Sequence, residues 1–223
     1  MNSFSRYRRQ INLGIIGFGL FQGLVARAQT PQQTDHPTRI LVVGDSLSAE
    51  YGLKRGTGWV ELLKTSLLTT HPKAEMINAS ISGDTTSGGL TRLKALLDRS
   101  KPHVVLLELG ANDALRGLPL DMTKNNLQAM VRLVREYGAK PIIAGMQIPP
   151  NYGREYASAF KSLFEEIARN EQTAFIPFFL EGIAENPAMF QADTIHPNEE
   201  AQPILKSNVQ KILVPVLNDL VQP

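Results

Sequence analysis

The sequence predicts an α/β protein: a three-layer α/β/α sandwich built on a five-stranded parallel sheet of flavodoxin-like order 2-1-3-4-5. Two observations lead there. From Arg39 onward, short β-rich runs alternate with longer amphipathic segments, the pattern of right-handed βαβ crossovers. Several of the strand candidates are also apolar without alternation, as strands covered on both faces must be. No internal repeat, low-complexity tract or linker interrupts the series.

The elements follow in order. Arg39–Val43 reads as a buried strand. Trp59–Leu68, with apolar residues at 59, 60, 62, 63, 67 and 68, has helical spacing. Ala74–Ala79 is strand-like, and Leu90–Leu97 is helical. His103–Leu109 is a continuous apolar strand between Lys101-Pro102 and Gly110, followed by a helix over Thr123–Tyr137 that stops at Gly138. Pro141–Met146 is the fourth strand, Arg154–Glu171 a helix, and Thr173–Phe178 the fifth strand. A last helix spans Asn198–Leu220, with disturbance expected at Pro203 and Pro215. In such a sheet, ligands bind beyond the carboxyl ends of the strands, at the switch point between strands 1 and 3.

The first thirty residues are of a different kind. Arg6, Arg8 and Arg9 precede an uncharged stretch over Ile11–Val25, and Ala26-Arg27-Ala28 places small residues where a signal peptidase reads. This is a secretory signal layout; the stretch is shorter than the ~20 apolar residues of a membrane span. The expectation is a signal peptide over 1–28 cleaved after Ala28, a flexible lead-in over 29–37 and a single domain over 38–223. The product is then periplasmic or secreted, with no stable membrane anchor.

Composition narrows the chemistry. The 223 residues include no Cys, which excludes disulfide frameworks, thiolate metal sites and thiol catalysis. The formal charge of +2 is misleading, because residues 1–28 hold four arginines and no acid. The remaining 195 residues carry 19 basic and 21 acidic side chains, a charge of −2. That balance gives no electrostatic case for nucleic acid or anionic lipid. A monomer is the expectation for assembly.

Candidate chemistry stands at the strand ends. The first strand ends in Gly44-Asp45-Ser46-Leu47-Ser48, the second in Asn78-Ala-Ser-Ile-Ser-Gly83-Asp84, the third in Gly110-Ala111-Asn112-Asp113. Each alone is an ordinary turn or N-cap sequence; three at one edge of one sheet, with Asp193-Thr-Ile-His196-Pro197 near the C-terminus, are not. A catalytic serine needs a base, and the histidines can be sorted. His36 lies in the lead-in, His71 ends a helix beside Pro72, and His103 opens the third strand at the opposite edge. His196 is left, and Asp193 three residues earlier can reach its far nitrogen. The alternative is that Asp193 caps the helix opened at Pro197, with His196 a bystander.

These four ordered blocks resemble the GDSL/SGNH hydrolases, named for their Ser, Gly, Asn and His, over essentially the whole chain from Ile40. Asn78–Asp84, Gly110–Gly117, Pro149–Gly153 and Pro177–Phe179 further resemble the periplasmic acyl-thioesterase, lysophospholipase and arylesterase branch. The resemblance implies Ser46 as nucleophile, His196 as general base and then acid, Asp193 as its orienter, and an oxyanion hole from the backbone N–H of Ser46, the backbone N–H of Gly83 and the Asn112 carboxamide. It implies no cofactor and no metal. Asp45 and Asp113 read as turn and hydrogen-bond scaffolding. Ala111 and Thr194 stand where the branch commonly has Gly, which strains their loops if either needs a positive φ.

Other classes fit less well. No Gly-x-Ser-x-Gly elbow surrounds Ser46, no Gly-rich phosphate cradle follows the first strand, and no His pair has metal-ligand spacing. The implied activity is hydrolysis of acyl esters, including aryl esters and lysophospholipids, and of thioesters. Acyl-CoA is absent from the exported compartment, which favours an ester there. Carbohydrate O-acetyl ester hydrolysis, or non-catalytic acyl or glycan binding on the same fold, are the alternatives. Leu115, Leu118, Leu120, Ile148 and Tyr152, from the Leu115–Met122 and Gln147–Tyr152 loops, are candidates to line an acyl groove; the bland alternative is that they anchor their loops.

Overall fold

The computed structural model describes residues 37–221. The expected signal peptide, most of the lead-in and His36 lie outside the described residues. Five parallel strands form one sheet of order β2-β1-β3-β4-β5: β1 (Thr38–Gly44), β2 (Ala74–Asn78), β3 (Val104–Glu108), β4 (Lys140–Ala144) and β5 (Ala174–Ile176). The predicted fold class and strand order are observed. Central β1 and β3 are paired from Ile40↔Val104 to Gly44↔Glu108, so their C-terminal ends leave the sheet side by side.

The helices are α1 (Trp59–Thr70), α2 (Thr86–Ser100), α3 (Ala111–Leu115), α4 (Leu120–Glu136), α5 (Arg154–Asn170) and α6 (Gln202–Val221). Helix α1 packs on α6, and α2 and α5 pack on α4, covering the sheet from both sides. Ile40, Leu41, Val42 and Val43 of β1 are fully buried, as are Val104, Val105 and Leu107 of β3, which accounts for their unbroken apolar character. Trp59 meets Phe179 edge-on at 5.7 Å. The first N–H of α1, at Trp59, donates to the buried side chain of Gln202 (3.0 Å), so one helix start is capped by the start of another.

Several boundaries differ from expectation for identifiable reasons. Helix α2 begins at Thr86 instead of Leu90. Thr85 caps it by accepting from the Gly88 N–H (3.3 Å), and Gly89 is needed for close packing: a Cβ there would lie 2.3 Å from the Leu109 side chain. The segment after Gly110, expected as loop, forms α3, and α4 starts three residues early at Leu120. β5 is shorter than expected because Pro177 has no N–H to donate, although main-chain bonds resume from Phe179 to Gly145 (2.8 Å). Helix α6 runs through Pro203 and Pro215 without a break, behind a short 3₁₀ turn at Glu199–Ala201.

Candidate active site

Four loops meet at the C-terminal edge of β1 and β3. After Gly44 the chain turns tightly: Ser48 and Ala49 N–H both donate to the Asp45 carbonyl (3.2 and 3.0 Å), and the Asp45 carboxylate accepts from Leu47 N–H (3.0 Å). Ser46 is thereby held at the apex of a short hydrogen-bonded turn. On the last loop, Asp193 Oδ1 accepts from the N–H of Ile195 (3.0 Å) and of His196 (2.9 Å). Its other oxygen, Oδ2, is 2.7 Å from His196 Nδ1. His196 Nε2 is 2.9 Å from Ser46 Oγ. A carboxylate can only accept, so Nδ1 carries the proton and Nε2 is left to accept from the serine hydroxyl.

The dyad loop is braced as a small hairpin. Phe190 bridges Pro197 and Gln191 N–H donates to the His196 carbonyl (2.8 Å). The capping alternative for Asp193 is not observed. Asn198 fills that role, its side chain accepting from Glu200 and Ala201 N–H (3.1 and 3.3 Å). The two backbone donors, first His196 and then Ile195, hold the Asp193 carboxyl down to about 2, so it is ionised across the neutral range. Tyr51 lies against the imidazole with ring centroids 4.3 Å apart.

Asn112, on α3, reaches between the first two loops: its Nδ2 donates to Asp45 Oδ2 and to the Asp84 carbonyl, both at 3.0 Å. Gly83 has φ of 77°, a conformation in which a side chain is strained, and its carbonyl accepts from Arg116 (2.8 Å). Asp84 is paired with Arg92 of α2 at 2.8 Å. Ser46, Gly83, Asn112, Asp193 and His196 are therefore brought to one place. The other histidines are elsewhere: His103 Nδ1 accepts from Arg39 N–H (3.0 Å) at the opposite edge, and His71 lies 3.0 Å from Asn218.

Asp113 is scaffolding as expected, wholly buried and accepting from Thr86 N–H (2.9 Å) and the Thr86 hydroxyl (2.5 Å). Asp45 is buried as well, but it touches both the turn that carries Ser46 and Asn112. Of the groove candidates, Ile148 is in the core, Leu115 and Leu120 pack against it, and only Tyr152 is exposed, so the anchoring alternative holds for those three. The exposed apolar residues on segments that carry or abut site residues are Tyr51, Ile81 and Ile195, at 49, 52 and 50%. Ala111 opens α3 at ordinary φ, whereas Thr194 has φ of 60°; the strain expected of the two departures falls on Thr194 alone.

Glu108 and Tyr51 are residues that sequence reasoning missed, and Glu108 left a signal. It is wholly buried at the end of an otherwise apolar strand and accepts from the Ser48 hydroxyl (2.7 Å); that lone acid in a buried run was the available signal. Among the described residues no three His, Asp or Glu side chains converge as metal ligands, and no helix is long and apolar enough to cross a membrane.

Residues 42–203 match the GDSL-like lipase/acylhydrolase family. The chain is 46% identical over 198 residues to esterase TesA of Pseudomonas aeruginosa, covering 89% of this chain and 98% of that one. It is 39% identical over 179 residues to thioesterase 1/protease 1/lysophospholipase L1 of Escherichia coli K12, covering 80 and 85%. A solved structure of esterase EstA from Pseudoalteromonas sp., inhibited by monoethylphosphonate, superposes with a TM-score of 0.76 at 40% identity, covering 81% of this chain and 99% of that one.

Proposed function

The chain belongs to the GDSL-like lipase/acylhydrolase family, and from that premise we propose that it is an exported esterase in which Ser46, His196 and Asp193 act as a catalytic triad on acyl esters, lysophospholipids among them. It is a serine hydrolase of ester and thioester bonds, in keeping with relatives named esterase and thioesterase 1/protease 1/lysophospholipase L1. The observation that carries the assignment of residues is the unbroken line Asp193–His196–Ser46, with links of 2.7 and 2.9 Å.

His196 takes the Ser46 proton as Oγ bonds to the acyl carbon, and the Asp193 carboxylate stabilises the imidazolium so formed. The carbonyl oxygen becomes an oxyanion facing the N–H groups of Ser46 and Gly83 and the Asn112 carboxamide. Collapse expels the alcohol or thiol, which leaves with the proton from His196. Water then attacks the acyl-enzyme with His196 again as base, releasing the acid and restoring Ser46. Each oxyanion donor contributes roughly 10²- to 10³-fold to turnover. Tyr51, Ile81 and Ile195 provide an apolar surface at the mouth for the acyl or aryl group.

A fluorophosphonate probe tests the nucleophile: the wild-type protein is expected to label, and Ser46→Ala to lose both labelling and p-nitrophenyl ester hydrolysis. Labelling that survives the substitution refutes the assignment. Across p-nitrophenyl esters from C2 to C16, a rise in kcat/KM beyond C2 is expected from the apolar surface; a monotonic fall from C2 would remove the acyl-surface reading.

A further inference from the structure

We propose that Asp45 and Glu108 are positioning residues: Asp45 ties the nucleophile turn to the Asn112 carboxamide, one carboxylate oxygen to each, and Glu108 braces that turn from beneath. This rests on the roles proposed above for Ser46 and Asn112.

The geometry gives Asp45 two attachments. Oδ1 accepts from Leu47 N–H (3.0 Å), closing a ring around Ser46. Oδ2 accepts from Asn112 Nδ2 (3.0 Å). One side chain therefore sets the distance between the nucleophile and a donor meant for the oxyanion. Below it, Glu108 Oε2 accepts from the Ser48 hydroxyl (2.7 Å) and Asp45 N–H (3.4 Å), so the turn is held at its first and fourth residues. Both hydrogens of Asn112 Nδ2 have acceptors, the second being the Asp84 carbonyl (3.0 Å). With acceptors on two different loops, the carboxamide is oriented before substrate arrives, and a forming oxyanion shares a hydrogen already aimed instead of organising a free rotor.

Two buried carboxyl groups side by side do not both ionise. Asp45 has the better donors, and it also faces His196 across the nucleophile and Asn112 from α3. Against these stand Asp84 of the second loop, paired with Arg92 of α2, and Glu108 of β3. The charge rests on Asp45 and the proton on Glu108. Burial pushes Asp45 up to about 6, offset by Leu47 N–H, His196 and Asn112, while burial and then the Asp45 charge push Glu108 well above the usual carboxylate range. An ionised Asp45 grips Asn112 with a charge-assisted bond that weakens on protonation.

The test uses the whole protein. Asp45→Asn puts one acceptor and one donor where two acceptors stood, so kcat on a p-nitrophenyl ester should fall ~10- to 10²-fold, with KM changed less than ~3-fold, because the loss is confined to the transition state. Glu108→Gln, a neutral isostere of the acid, should keep kcat within ~3-fold of wild type, whereas Glu108→Ala should lose ~10-fold or more. Independently of how any variant folds, the Asn112 side-chain amide resonances of the wild-type protein should titrate near pH 6, following Asp45. In His196→Ala the same titration should persist with a higher midpoint, since the neighbouring ring that lowers Asp45 is gone. Wild-type kcat in Asp45→Asn, flat Asn112 resonances between about pH 4.5 and 8, or Glu108→Gln falling as far as Glu108→Ala would each overturn the inference. If Ser46 of the wild-type protein fails to label with fluorophosphonate, the functional reading fails with it; labelled Ser46 with unchanged Asp45→Asn kinetics removes this inference alone.

Discussion

Thr194 sits between Asp193 and His196 with φ of 60°, a left-handed conformation that costs an L-residue about 1–2 kcal/mol. It is held there because its neighbours are fixed: Thr194 N–H donates to Gln191 (2.9 Å), and the Asp193 carboxylate receives Ile195 and His196 N–H. Glycine adopts this φ freely but loses ~0.4–1 kcal/mol through the greater freedom of the unfolded chain. Thr194→Gly is therefore expected to raise the free energy of unfolding by about 0.5 kcal/mol, read as a higher urea midpoint at unchanged m-value; a lower midpoint would show that the threonine is not strained. At this scale the sequence was informative where residue types are few. One of four histidines stood at the right sheet edge, and its aspartate partner lay three residues away. Tyr51 was not legible, because its contact with His196 joins positions 145 residues apart in a loop with no pattern of its own. Glu108 was hidden by its strand: a run read for hydrophobicity averages over a single acid, and only the tertiary pairing of β1 with β3 puts that acid under Ser48.

Asp113 joins three helices. From α3 it accepts from Thr86 at the start of α2, through both N–H and hydroxyl, and from the Thr123 hydroxyl in the first turn of α4 (3.3 Å). Asn126 adds a bond to the Thr86 hydroxyl (3.0 Å). Asp113→Ala leaves the buried Thr86 donors unmet, at ~1–3 kcal/mol for each stranded group. A loss of about 3 kcal/mol in urea unfolding is expected, together with reduced kcat because α3 also carries Asn112; a loss below about 1 kcal/mol would mean that water replaces the carboxylate without consequence. The same arrangement explains why the starts of α2, α3 and α4 were the least legible boundaries. Gly88 and Gly89 argue against helix by propensity, yet Gly89 admits Leu109 and Thr86 is anchored by Asp113. Strand existence and order, by contrast, followed from local apolar runs and the right-handed crossover, which need no knowledge of which side chains meet.

For the whole molecule, the buried carboxyls beneath the site link folding to pH in a definite direction. Asp45 and Glu108 both have folded-state values above their ordinary ones, 3.8 and 4.5. Each therefore contributes stability that is present below those values and withdrawn as pH rises, for Asp45 through about 6 and for Glu108 well above its ordinary value. At ~1.4 kcal/mol per pH unit, the Asp45 displacement withdraws about 3 kcal/mol by neutrality. Asp193 acts oppositely: lowered from 3.8 to about 2, it stabilises above 3.8 and ceases to as pH falls through about 2, outside the range where the buried pair titrates. Replacing Glu108 by glutamine keeps an acceptor for the Ser48 hydroxyl and Asp45 N–H while removing the ionisation available to the unfolded chain. Near pH 4, where the wild-type glutamate is largely protonated folded or unfolded, the two proteins should unfold at nearly the same urea concentration. As pH rises the unfolded wild-type chain ionises at Glu108 before the folded chain does, so Glu108→Gln should become progressively more stable than wild type. Urea midpoints at about pH 4, 6 and 8 measure this. A gap that stays constant or closes with pH would mean that Glu108 is ionised in the folded protein, with two negative charges beneath the Ser46 turn instead of one.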